Sequence, residues 1–254
     1  MNAAVTWTAV ACALIAGAAN VTGGLLAARA SGWDRVRQSY LVAVGAGFML
    51  AAVLLRMVPE SYRLALESGG AALSVGTLIL VGYLLVHFAE HVLLAHFHFG
   101  EETHHEHWVE PVVGHTALLG LALHTLFDGI SIGSGFLVST ELGILVAVAV
   151  FLHKIPEGFT VGSIMVAAGR SRRDAVLSAA FLGAVTVVGA LTTTLWSGSV
   201  KIALPVSAGA TIYVAASDLI PAVNEAKGIK KPVAVFAGVL LFYVTEKILA
   251  GLGF

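Results

Sequence analysis

Long apolar runs alternate with short polar breaks along the chain, and each run reaches the ~20 largely apolar residues that a bilayer-crossing helix needs. Eight runs fall at roughly 4–28, 40–60, 71–98, 112–137, 141–168, 174–196, 202–222 and 232–253. The breaks read ARASGWDRVRQS, PESYRLALESGG, HFGEETHHEHWVEP, SGFLVSTE, GRSRRDA, WSGSVK and AVNEAKGIKKP. The pattern predicts an all-α integral membrane protein of eight transmembrane helices, here spans one to eight, in a single transmembrane domain over residues 1–254. The first run has no basic residues before it and outlasts a signal-peptide core, so it is read as span one. The Asn20-Val21-Thr22 sequon lies deep in that span, where glycosylation does not reach, and is read as chance.

Positive charge alternates between the breaks. Arg29, Arg35 and Arg37 follow span one, Arg170, Arg172 and Arg173 follow span five, and Lys227, Lys230 and Lys231 follow span seven. The breaks after spans two and six hold only Arg63 and Lys201. The positive-inside rule then puts both termini outside and the His-rich break, at about 96–111, in the cytoplasm of a cell whose plasma membrane holds the protein. Composition agrees: 58% of residues are hydrophobic and 11% charged, against roughly 25% charged in soluble domains. A formal net charge of -1 excludes the basic surface that nucleic-acid binding needs. The single cysteine, Cys12, excludes a disulfide framework and a thiolate metal cluster.

Two motifs change the picture. Span four contains His124-Thr-Leu-Phe-Asp128-Gly129-x3-Gly133 and span five contains His153-Lys-Ile-Pro-Glu157-Gly158-x3-Gly162, both of the form H-x3-[DE]-G-x3-G. Residues i and i+4 of an α-helix differ by ~40° in azimuth and ~6 Å in rise, so each histidine shares a face with its carboxylate. Antiparallel packing of the two spans brings His124, Asp128, His153 and Glu157 together near the midplane. An ionisable residue there costs at least ~2.5–3.5 kcal/mol, so it normally faces a cavity and a partner. Two imidazoles and two carboxylates suit Zn²⁺, Fe²⁺ or Mn²⁺ and do not favour a soft ion. Pro156 removes a donor and frees the carbonyl of Leu152, which predicts a kink in span five beside the site.

A second correspondence joins spans two and seven: Ala46-Gly47-x8-Arg56-Met-Val-Pro59 against Ala208-Gly209-x8-Asp218-Leu-Ile-Pro221. The spans run in opposite directions, so the match points to an inverted repeat of spans 1–3 and 6–8 around spans 4–5. It also puts Arg56 toward the outer face and Asp218 toward the inner.

These motifs, with Met57-Val58-Pro59-Glu60 and Asp218-Leu219-Ile220-Pro221, make the chain resemble the ZIP (Zrt/Irt-like) divalent metal transporters over essentially its whole length. The resemblance implies an eight-helix fold, frequent homodimers, and uptake of zinc into the cytoplasm with a range that extends to Fe²⁺, Mn²⁺ or Cd²⁺. Zinc is then the transported substrate, not a cofactor. It also implies an elevator movement of the helices carrying the site. Three residues depart from the family pattern. Thr125 stands where many members have asparagine, a better ligand. Lys154 replaces an acidic residue of members with a two-metal centre, which leaves a single-metal site, and its ammonium is placed to pair with Glu157 until metal displaces it. Arg56 stands on the outer access path, where a cation repels incoming metal.

Further polar residues are read around this site. Glu60 and Asp218, beside prolines near opposite faces, are candidate access ligands, and His87, Glu90 and His91 share the cytoplasmic part of span three as a candidate exit path. His96, His98, His104, His105 and His107 are candidates for metal capture in the inner loop. Glu246 and Lys247 receive no role. The competing functions are a zinc-dependent intramembrane hydrolase and a metal-responsive sensor that moves nothing. The chain lacks H-E-x-x-H, which weighs against the hydrolase.

Overall fold

The computed structural model describes residues 3–29, 35–69, 72–93, 111–196, 198, 200–224 and 228–253. Among them the elements are α1 (Ala3–Arg29), α2 (Arg35–Ala52), a π-helical turn (Val53–Met57), α3 (Val58–Glu67), α4 (Ala72–Leu93), α5 (Pro111–Val138), α6 (Thr140–Ala167), α7 (Arg172–Leu195), α8 (Val200–Tyr213), a second π-helical turn (Val214–Leu219), α9 (Ile220–Asn224) and α10 (Lys230–Gly251). Among the described residues, eight helical stretches are long and apolar enough to cross a membrane. Spans two and seven are the composite ones, running α2–π–α3 and α8–π–α9.

The two π turns share one setting. Val58 N–H donates to the Val53 carbonyl and Ile220 N–H to the Ala215 carbonyl, five residues back in each case. A proline follows at once, Pro59 or Pro221, and its ring clashes with the carbonyl four residues earlier in a regular helix. One wide turn moves that carbonyl aside. In α3 the proline then sits in the first turn, where a missing N–H costs nothing. Consequently the segment expected as the break PESYRLALESGG stays helical to Glu67, braced by Arg63 between Glu60 and Glu67 one turn either side. Pro156, where a kink is expected, lies inside α6, which is α-helical from Thr140 to Ala167.

Short connections set the neighbours. Ser139 alone joins α5 to α6, and its side chain caps α6 by accepting from Leu142 N at 3.1 Å. A reciprocal capping box between Ser171 and Asp174 starts α7. Helices α1, α5, α6 and α7 pack on one another, while α2 packs on α10 and α4 on α8. One apolar core of α2, α6, the second π turn, α9 and α10 includes Phe48, Leu145 and Phe242. Another, including Ala13, Ile132, Val146 and Leu204, joins α1, α5, α6, α7 and α8.

The motif glycines explain the close approach around α5 and α6. A Cβ at Gly129 would stand 2.0 Å from the Thr186 carbonyl oxygen of α7, and one at Gly158 would stand 1.9 Å from the Asn20 carbonyl oxygen of α1. Backbone-to-backbone contact of this kind suits helices packed in lipid. It sets α7 against α5 and α1 against α6 at the residue after each acid.

Candidate metal centre

Both H-x3-[DE] motifs lie at the middle of 28-residue helices, α5 and α6. His124 Nε2 is 3.2 Å from Asp128 Oδ2 and 3.6 Å from Glu157 Oε2, and His153 Nε2 is 3.3 Å and 3.7 Å from the same two oxygens. A four-coordinate zinc ion with bonds of ~2.0–2.1 Å places its ligand atoms ~3.3 Å apart. The four separations therefore lie close to the edges of one tetrahedron. All four residues are buried, none more than 5% exposed. The imidazole rings stand at 88° with centroids 5.7 Å apart.

The surrounding groups orient these ligands. His153 Nδ1 lies 3.1 Å from the Ala149 carbonyl, which favours the Nδ1–H tautomer and leaves Nε2 with a lone pair facing the centre. Glu157 has its two oxygens treated differently. Oε1 accepts from Thr125 Oγ1 at 2.7 Å and from Asn20 Nδ2 at 3.1 Å, while Oε2 faces both imidazoles. Thr125 thus holds a ligand through a hydrogen bond.

Lys154 is completely buried. Its ammonium contacts Glu157 Oε2 at 2.5 Å and Asp128 Oδ2 at 2.7 Å, and donates to Thr125 Oγ1 at 3.3 Å. The expected pairing with Glu157 is present, and Asp128 joins it. The ammonium uses the two carboxylate oxygens that the imidazoles face.

A second group of metal-ligating side chains shares one residue with the first. Ligand atoms of Glu90, His124 and Asp218 all lie within 4.8 Å of one another. His124 Nδ1 is buried and has no hydrogen-bond partner. Glu90 and Asp218, expected on separate exit and access paths, are therefore brought together beside the centre. His87 and His91 are exposed, with ring centroids 4.1 Å apart, and His87 meets the Tyr213 ring edge-on.

Arg56 and Glu60 lie apart from both groups. Arg56 pairs with Glu141 at 2.6 Å and with Glu246 at 3.4 Å, so two carboxylates offset the positive charge expected to repel incoming metal. Glu60 accepts from Arg63 Nε at 2.9 Å. His96, His98, His104, His105 and His107 lie outside the described residues. Asn20, Glu141 and Glu246 are the functional neighbours that sequence reasoning missed. The one available signal was their polarity inside or beside apolar spans.

The family model described as ZIP Zinc transporter matches residues 109–246, more than half of the chain and both H-x3-[DE] motifs. The chain belongs to the ZIP family. Its membrane-length apolar helices make this ZIP chain an integral membrane protein. It is similar to the zinc transporter zipt-7.2 of Caenorhabditis elegans, at 30% identity over 51% of this chain and 31% of that protein. It is also similar to the zinc transporter ZIP13 of Pongo abelii, at 27% over 80% and 63% respectively. For the zinc transporter ZIP9 of Xenopus tropicalis the figures are 25% over 62% and 55%. This ZIP chain thus spans less than two thirds of the length of these relatives.

Proposed function

We propose that this protein carries divalent transition metal ions, zinc foremost, across the membrane to the cytoplasm through His124, Asp128, His153 and Glu157. The near-tetrahedral spacing of four buried nitrogen and oxygen donors at mid-helix carries this reading. Fe²⁺, Mn²⁺ and Cd²⁺ fall within the same donor chemistry. The names of the relatives and family membership favour transport over the hydrolase and the sensor.

In this reading Lys154 is a tethered cation that holds Asp128 and Glu157 while the site is free of metal. A divalent ion takes the same two oxygens and displaces the ammonium, whose retained charge then speeds release. Glu90 and Asp218 form the next station, with His124 handing the ion from one group to the other, and His87 and His91 lie beyond. His96, His98, His104, His105 and His107 receive it on the cytoplasmic side.

The reading keeps residues 1–254 as one transmembrane unit in the plasma membrane, both termini outside, working as a homodimer. The inverted repeat belongs to it as well. Matching π turns before Pro59 and Pro221 support it, as does the packing of span two on eight and of span three on seven, pairs that the repeat interchanges.

Metal flux into liposomes holding the purified protein tests the proposal. Zinc should enter with the wild type and fail to enter with His124→Ala or Glu157→Ala. Hydrolytic turnover without flux would favour the enzyme, and binding without either would favour the sensor.

A further inference from the structure

Asn20 is a buried polar residue that the transport reading leaves unused. It is fully buried in the middle of α1, where an amide without partners is costly. Its Nδ2 donates to Glu157 Oε1 at 3.1 Å. The same oxygen accepts from Thr125 Oγ1 at 2.7 Å, so Oε1 holds two donors from two different helices. Oε2 is left to the imidazoles and the Lys154 ammonium.

Gly158 makes this arrangement accessible to α1. A Cβ there would stand 2.7 Å from Asn20 Oδ1 as well as 1.9 Å from the Asn20 carbonyl oxygen. The glycine after Glu157 therefore admits the amide as well as the helix. Asn20 Oδ1 has no hydrogen-bond partner of its own, so the donor end alone accounts for the amide's polar contact.

We infer that Asn20 is a positioning residue that, together with Thr125, keeps Glu157 a one-oxygen ligand and thereby sets the metal preference of the centre. A carboxylate with Oε1 occupied by two N–H and O–H donors offers a metal only Oε2. That suits zinc, which is satisfied by four single-atom ligands at ~2.0–2.2 Å. Larger, harder ions take more oxygen ligands and readily accept both oxygens of a carboxylate. Releasing Oε1 opens the second oxygen and shifts the balance toward them. The inference rests on the proposed metal site, and its test separates the two.

Zn²⁺ and Mn²⁺ binding is measured on purified wild type, Asn20→Ala and Thr125→Val, with the infrared splitting of the carboxylate stretches read in each metal-bound form. Groups that orient a ligand are worth roughly tenfold or more in affinity. Each variant should lower the preference for Zn²⁺ over Mn²⁺ by about tenfold and move the Mn²⁺-bound splitting toward the two-oxygen form. Thr125→Val removes a donor from the same oxygen without touching α1, so it decides the matter if Asn20→Ala does not fold. An equal loss of both affinities, or an unchanged preference and splitting, would overturn the inference. If the wild type binds neither ion at a site that His124→Ala abolishes, the transport reading fails instead.

Discussion

Among the described residues, one cation held between two carboxylates and tying separate helices together occurs twice. Arg56 sits between Glu141 and Glu246, with all three side chains 20–31% exposed. Lys154 sits between Asp128 and Glu157, and these three side chains are no more than 4% exposed. Glu141 begins α6 and His153 follows it by ~18 Å of helix rise. The same charge pattern thus occupies the edge and the middle of one helix. At the edge, water and salt weaken it, and an exposed pair is worth ~1 kcal/mol or less. In the middle, breaking the pattern leaves charge with no solvent to take it, at a cost of ~3–5 kcal/mol. Two imidazoles add to the inner pattern what the outer one lacks, a set of neutral donors. Arginine at the edge is always charged and permanently forked, which suits a structural tie. Lysine in the middle is a compact point charge that a metal ion can replace.

Breaking the inner pattern should have the largest effect. Lys154→Met keeps the bulk of the side chain and leaves Asp128 and Glu157 facing each other. Without metal its melting temperature should drop markedly, as expected for a loss of ~3–5 kcal/mol. With zinc it should recover more than the wild type does, because no ammonium competes for Oδ2 and Oε2. Thermal melting in detergent with and without Zn²⁺ reads both. Equal melting and equal zinc response in the two proteins would remove Lys154 from the account.

The inner pattern was partly legible in the sequence, and the outer one was not. His124 with Asp128, and His153 with Glu157, repeat at i,i+4, so helix geometry alone puts each pair on one face. Lys154 with Glu157 follows from i,i+3. Contact of Lys154 with Asp128 depends on how α5 and α6 rotate against each other, which periodicity does not specify. Arg56, Glu141 and Glu246 are far apart in sequence, and none repeats a spacing, so Arg56 read as an uncompensated cation. Asn20 stood as one amide in an apolar run, indistinguishable from a chance sequon until α1 was seen against Gly158. Where the ends are described, span limits were legible to within a few residues except in span two, whose helix begins at Arg35 rather than near 40 and continues after Pro59. There the charges of Glu60, Arg63 and Glu67 suggested a loop, yet they brace a helix.

Arg56→Gln probes the edge and should do much less. A loss of ~1 kcal/mol or less corresponds to at most about a fivefold change in any equilibrium it controls. Zinc flux in liposomes should stay within that range. The difference from wild type should also shrink as salt is raised from 0.05 M toward 1 M, where screening shortens to ~3 Å. A complete loss of flux, or a difference indifferent to salt, would mean that the outer tie does more than hold helices together.

X-ray absorption on the purified protein reads the ligand shell of bound zinc, on which the proposed metal centre stands most directly. The wild type should show four nitrogen or oxygen neighbours at ~2.0–2.1 Å with the multiple-scattering signature of two imidazoles, and His124→Ala should lose one imidazole. A six-coordinate shell of oxygens without imidazole, the same in wild type and His124→Ala, would contradict it.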